Sequence, residues 1–183
     1  ANNNRNCTGI LGVGYAGLLV LQREEKTFLA NPNHKPDLEP YDYVVERQLK
    51  PEAGKFIVDF FEKNNIVPSS MIDISDGLAS ELMHISKQSN VGFKIFEDKV
   101  PIDIQTMDVA EEFKLNPLTL ALNGGEDYEM LFTVNIENHD IIKTIKDISI
   151  IGHITSDSDG RYLISNSGQA IDLIAQGWDS FKK

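Results

Sequence analysis

Two short stretches of this chain set carboxylates beside glycines: Ile72-Asp73-Ile74-Ser75-Asp76-Gly77-Leu78 and Asn123-Gly124-Gly125-Glu126-Asp127-Tyr128-Glu129. A carboxylate in a strand-like run needs a metal ion or a cationic ligand, because burying it alone is costly or shifts its pKa. Asp73 and Asp76 lie across the end of an expected strand and the start of an expected helix, a spacing that lets their side chains converge on one metal-rich pocket. The first amides of a helix have no intrahelical partner and carry partial positive charge, which suits a phosphate oxygen, and the Ser75 hydroxyl adds a donor. Hard oxygen ligands at such a corner favour magnesium, with water and nucleotide phosphates completing the shell. The same residues also suit a plain helix start, with Ser75 as the cap and Asp73 paired to a nearby base.

In the second stretch Gly124-Gly125 permits positive φ or a close approach to a ligand, and Glu126 and Asp127 are expected to point out of the turn. There they either hold a cationic or amine-bearing ligand or stand solvated. The only tryptophan, Trp178, follows Gly177 near the C-terminus. It serves either to pack the terminus on the core or to offer a flat face to an aromatic or cationic ring.

The elements that must position these groups alternate. A strand is expected over residues 7–11, a turn at 12–14 and a helix over 15–22, followed by a proline-rich loop at 31–40. Helices are expected over 41–49 and from Pro51, the latter with Phe56, Ile57, Phe60 and Phe61 as its buried stripe. A strand at 71–74 leads into a helix over 76–89 that buries Leu78, Leu82 and Ile85. Then come a strand at 92–96, helices near 104–114 and 117–122, a strand at 128–134, a helix at 140–146 and a strand at 148–154. Asp159-Gly160 reads as a hairpin turn, with last strands at 162–164 and 170–174. This interleaving gives an α/β or α+β class with a mixed sheet.

Three other patterns compete for a function. Gly12-Val13-Gly14-Tyr15-Ala16-Gly17 satisfies G-x-G-x-x-G between a strand and a helix, the basis for an alternative reading as a nicotinamide-dependent oxidoreductase. That fold wants a second parallel strand soon after the helix, where this chain has the loop around Pro32 and Pro36. Asp157-Ser158-Asp159-Gly160 is like a calcium loop but lacks acidic residues at its first and last ligand positions, Thr155 and Asn166. His34, His84, His139 and His153 are scattered, with no metal-ligand spacing.

A chain of 183 residues, 41% hydrophobic, can bury one substantial core, so one domain is expected over residues 1–183. A net charge of −11 argues against nonspecific binding to nucleic acid or to an anionic membrane. Residues 10–21 are the longest apolar stretch, interrupted by three glycines, against roughly 18 residues needed to span a bilayer. Cys7 is the only cysteine, which excludes an internal disulfide and suits a reducing, cytoplasmic setting. The chain starts without Met and without a signal-peptide pattern, and is expected to be the back part of something longer.

Taken together, the two acidic motifs resemble those of the thiamine-monophosphate kinase family, in the superfamily of aminoimidazole ribonucleotide synthetase and selenophosphate synthetase. The similarity runs over nearly the whole chain: Thr8-Gly9, Gly12, Ala16-Gly17, Glu46-Arg47-Gln48-Leu49-Lys50-Pro51-Glu52, residues 71–78 and 124–129, Ile151-Gly152 and Gly177-Trp178. The resemblance implies the fold of the C-terminal domain of aminoimidazole ribonucleotide synthetase. It also implies ATP-dependent phosphorylation of thiamine monophosphate to thiamine diphosphate with magnesium. By position, Asp73 and Asp76 would be magnesium ligands, Ser75 would contact the nucleotide phosphates, Glu126 would hold the thiamine moiety and Trp178 would pack on its rings. The family also carries an N-terminal half with further nucleotide and magnesium motifs and the main homodimer contact, so this chain alone is expected to be inactive. A noncatalytic thiamine-phosphate-binding domain is the alternative within the same fold. Val13 stands where the family often has an acidic residue, and no role is assigned to Asp127.

Overall fold

The computed structural model describes residues 3–174 apart from 34 and 53. In chain order its elements are β1 (Asn3–Thr8), α1 (Val13–Ala30), α2 (Asp42–Leu49), α3 (Lys55–Asn64), β2 (Ser70–Asp73), α4 (Leu78–Ser89), β3 (Val91–Phe96), α5 (Ile104–Glu112), α6 (Pro117–Asn123), β4 (Met130–Asn135), α7 (His139–Ile142), β5 (Ile148–Ser156), β6 (Arg161–Ile164) and β7 (Ala170–Asp172). The strands form one sheet in the order β2-β4-β1-β5-β3-β6-β7. Every pairing is antiparallel except β3 with β6, which makes the sheet mixed and the class α/β.

Strand alternation divides the core between the two faces of the sheet. In β4, Leu131 joins a cluster with Cys7, Phe93 and Ile151, against which α4 lays Leu78, Leu82 and Ile85. Phe132 and Val134 face the other way and meet Ile57 and Phe61 of α3 and Ile142 of α7. The Phe61 and Phe132 rings pack edge to face at 5.1 Å. A third cluster joins α1, α2, α5 and α6 through Val13, Val20, Val44, Val109 and Leu120. Arg5 of β1 is fully buried, with its guanidinium carbon 4.9 Å from the centre of the Phe93 ring. Burial lowers its pKa to about 10.

Several boundaries differ from the sequence pattern for identifiable reasons. Helix α1 runs to Ala30 rather than 22, because its second half is mostly exposed and carries no apolar stripe to read. Helix α3 starts at Lys55, not Pro51, with the helix-breaking Gly54 as its N-cap. Helix α4 starts at Leu78 with Gly77 as N-cap, so Ser75 is not the cap. Asp159-Gly160 does not close a hairpin: β5 pairs with β1 and β3, while β6 runs parallel to β3. The acids of that turn serve it locally, Asp159 accepting from the Ser156 amide at 3.1 Å and Asp157 from Arg161 at 2.6 Å.

The topology also removes the dinucleotide reading. Helix α1 is followed by a loop and α2, and both neighbours of β1 are antiparallel to it. Gly17 is there for packing, since a Cβ on it would come within 2.1 Å of the Val44 carbonyl oxygen of α2.

Candidate functional site

The first motif leaves the end of β2 and the second enters the start of β4, and these strands are direct neighbours with Asp73 opposite Met130. Their hydrogen bonding continues past the strand ends. The Ile74 amide donates to the Glu129 carbonyl at 2.7 Å, the Tyr128 amide to the Ile74 carbonyl at 2.9 Å, and the Glu126 amide to the Ser75 carbonyl at 2.8 Å. More than fifty residues of separation collapse into one ladder, with Asp73, Asp76 and Glu126 all exposed on it and Ser75 half-buried.

Glycine is required where the two loops cross. Gly125 has φ +69°, and a Cβ on it would lie 2.4 Å from the Ser75 carbonyl oxygen. Glu126 and Tyr128 also take positive φ, 62° and 52°, a conformation uncommon outside glycine and concentrated at functional sites. This backbone turns Glu126 and Tyr128 outward and Asp127 inward. Tyr128 reports the charge gathered here: its hydroxyl pKa is raised by Glu126 foremost, with Asp73 and Asp76 contributing.

Asp127 therefore departs from the expected exposed position. It is 2% exposed, and its carboxylate accepts from the Gly12 amide at 2.7 Å and the Gly14 amide at 3.1 Å. Those are the first orphan donors of α1, so Asp127 caps a helix that lies far away in sequence. Burial pushes its pKa up to about 7, against the opposing pull of the two amides. Glu129 is committed as well, accepting from Thr8 Oγ1 at 2.5 Å and pairing with Arg47 at 2.7 Å. A cavity of about 710 Å³ opens beside that pair, between Gly9, Tyr43, Phe56 and Asp147, and gives this edge of the sheet room for an organic ligand.

One further acid belongs to the cluster and escaped the sequence reading. Glu81, in the first turn of α4, is 2% exposed. Its Oε1 accepts from the Asp76 amide at 3.2 Å. Desolvation foremost raises its pKa to about 7, with the charges of Asp76 and Asp73 adding to the shift. The only prior signal was an acidic residue on the otherwise apolar face that Leu78, Leu82 and Ile85 share.

Among the described residues no three His, Cys, Asp or Glu side chains form a complete metal-binding group. Asp73 and Asp76 fit a hard divalent cation in chemistry, both being exposed carboxylates at one corner, provided that phosphate oxygens and water supply the rest. The start of α4 fits an anion, because among the described residues no side chain caps its first amides. Trp178 lies outside the described residues, as does His34.

Residues 8–164 match the model of the AIR synthase related protein family, C-terminal domain. The thiamine-monophosphate kinase of Buchnera aphidicola subsp. Schizaphis graminum is 38% identical over 170 residues, covering 90% of this chain and 48% of that protein. The solved structure of AaThiL complexed with AMPPCP and TMP superposes with a TM-score of 0.75 at 26% identity, over 98% of this chain and 52% of that one. The crystal structure of thiamine monophosphate kinase from Aquifex aeolicus gives 0.72 at 26% identity, over 93% and 52%. This chain thus spans about half the length of the relatives it matches.

Proposed function

The chain belongs to the family of AIR synthase related proteins, as their C-terminal domain, and from that premise we propose that it forms one half of a thiamine-monophosphate kinase. The reaction moves the γ-phosphoryl group of ATP to the phosphate of thiamine monophosphate, giving thiamine diphosphate and ADP. The observation that carries this reading is the ladder between the two motifs, which brings Asp73, Asp76, Ser75 and Glu126 to one edge of the sheet. The AaThiL complex, with a nucleotide analogue and TMP on the same fold, supports it.

The acceptor is already an anionic phosphate oxygen, so no strong general base is required, and catalysis rests on alignment and charge neutralisation. Asp73 and Asp76 would hold magnesium, which would supply neutralisation of charge on the transferring group. The Ser75 hydroxyl and the uncapped amides at the start of α4 hold nucleotide phosphate oxygens. Glu126, turned outward by its positive φ, faces the cationic thiamine moiety, and Trp178 is assigned to the thiazolium face by its place in the sequence alone. The N-terminal half supplies the remaining nucleotide contacts and a homodimer interface, and the enzyme works in the cytoplasm. Among the described residues no helix is long and apolar enough to cross a membrane.

Two measurements of ADP release test the proposal. The 183-residue chain by itself gives no turnover above background, and turnover by it would refute the need for a second half. In the full-length protein Asp76→Asn lowers turnover by about 10²–10³-fold, the scale of removing one charge-stabilising group, with the melting temperature kept. Near-normal rates in that variant reject the metal role. Binding of thiamine monophosphate without turnover in the unmutated full-length protein would replace the kinase reading with that of a noncatalytic binding domain.

A further inference from the structure

A separate cavity, of about 520 Å³, opens where β1, β5, the end of β3 and α7 meet. Asp73 lies opposite Met130 at the start of β4, whereas Asn4, which lines this cavity, lies opposite Val134 towards the other end of that strand. The cavity shares no residue with the Asp73–Asp76 corner, and its size falls within the roughly 300–1,000 Å³ of small-molecule sites. Its titratable lining is basic throughout: Lys99, His139, Lys143 and His153, with no Asp or Glu among the described residues that line it. On a chain with 28 acids against 17 lysines and arginines, composition alone would not collect such a lining. Between the basic groups the wall is apolar, made of Ile148, Ile150 and Phe96.

The basic groups come from separate elements and two of them are held in place. His139 opens α7 and Lys143 follows it, His153 belongs to β5, and Lys99 lies in the short turn after β3. Asn4, only 6% exposed, donates its side-chain amide to His139 Nδ1 at 2.8 Å. With Nδ1 accepting, the ring proton sits on Nε2, which remains as the donor of that imidazole. The His153 ring rests against Phe96, with centroids 5.7 Å apart. Lys143 makes no ion pair among the described residues. Lys99 pairs with Asp98 at 2.7 Å, but both side chains are more than half exposed, and such a surface pair contributes little. We propose that this cavity binds a small organic phosphate: His139, His153 and Lys143 donate to the phosphoryl oxygens, and the apolar part of the molecule lies on Ile148, Ile150 and Phe96. A phosphate monoester suits these donors better than a carboxylate, because it offers three acceptor oxygens and about 1.5 to 2 negative charges to groups spread over separate elements. The assignment is independent of what the Asp73–Asp76 corner does.

The test uses phenyl phosphate as the probe, added to full-length protein that carries ¹³C-labelled histidine. The ring signals of His139 and His153 are assigned through His139→Gln and His153→Gln. Both signals should shift together and saturate, and they should do so equally in excess nonhydrolysable ATP analogue and thiamine monophosphate. Stationary signals overturn the site, and shifts abolished by that excess place the probe elsewhere and overturn it too. Inorganic phosphate should bind roughly 10-fold or more weakly, for want of the apolar contact of the ring. Equal affinity for the two, or benzoate binding as tightly as phenyl phosphate, would leave an unselective basic rim in place of a site for an organic phosphate. Lys143→Gln changes an exposed side chain and leaves the fold alone. It should weaken phenyl phosphate roughly 10-fold, the scale of one hydrogen bond from a charged donor, with ADP release unchanged. Undiminished affinity in that variant removes Lys143 from the site and with it the proposed phosphate cradle.

Discussion

The corners β1-to-α1 and β2-to-α4 are built alike, each a strand, a glycine at positive φ and a helix. They differ in who supplies the anion. At the first, the Asp127 carboxylate reaches in and takes the Gly12 and Gly14 amides. At the second, Gly77 offers no cap, and the Glu81 carboxylate accepts from the Asp76 amide just ahead of the helix. A helix start whose positive end is already neutralised from within has nothing left for a phosphate, while one that no described side chain caps keeps its first amides for an anion. The number of glycines does not separate the two corners; which amides the buried carboxylate takes does, Asp127 holding those of Gly12 and Gly14 and Glu81 that of Asp76.

The most damaging way to break the comparison is to take the internal anion away. Asp127→Ala leaves two buried amides of α1 without acceptors, and the loss of a cap together with unmade buried hydrogen bonds costs about 2–4 kcal/mol. Urea unfolding of the 183-residue chain would show it as a lower midpoint at unchanged slope. A loss below about 0.5 kcal/mol would mean that α1 does not depend on its cap and that the two corners are equivalent after all.

A gentler probe is pH. Asp127 has a folded pKa of about 7, above the ordinary carboxyl value of about 3.9 that it takes when unfolded. Between those values the folded state holds a proton that the unfolded state has released, so the contribution is full below about pH 4 and is lost as pH rises through about 7. Unfolding midpoints of the unmutated chain should therefore decline over that window relative to those of Asp127→Asn, which cannot titrate. Parallel profiles for the two proteins would show that Asp127 is ionised throughout.

The contrast also shows what could be read without coordinates. Leu78, Leu82 and Ile85 recur at helical spacing, and Phe132 and Val134 alternate with Leu131, so α4 and the two-faced sheet were legible from periodicity alone. Asp73, Asp76 and Glu126 stood out as candidates by their place beside glycine corners, and the ladder brings those positions to one edge of the sheet, where their roles are the ones proposed above. Asp127 was not legible, since its direction depends on the positive φ of Glu126 on one side and Tyr128 on the other, and its partners lie in a helix from the opposite end of the chain. Glu81 was hidden because one acidic residue within an apolar stripe reads as a break in the pattern rather than as a partner of the preceding loop. The Asp159-Gly160 turn misled for a third reason: it has hairpin chemistry, but β6 finds its partner in β3, a choice made by the sheet and not by the turn.

The smallest effect tests the open corner most directly. Ser75 contributes its carbonyl oxygen to the ladder, accepting from the Glu126 amide, and that bond is untouched when the side chain is cut back. Ser75→Ala should therefore leave stability within about 0.5 kcal/mol and act only on what the hydroxyl holds. One neutral hydrogen bond is worth about 0.5–1.5 kcal/mol, which is a rise of about 2- to 10-fold in the KM for ATP of the full-length protein. The KM for thiamine monophosphate should hold steady, because Glu126 keeps its backbone support. If both constants rise together, the substitution has moved the ladder rather than removed a phosphate contact. If neither moves, the start of α4 holds no phosphate, and its difference from the start of α1 has no functional meaning.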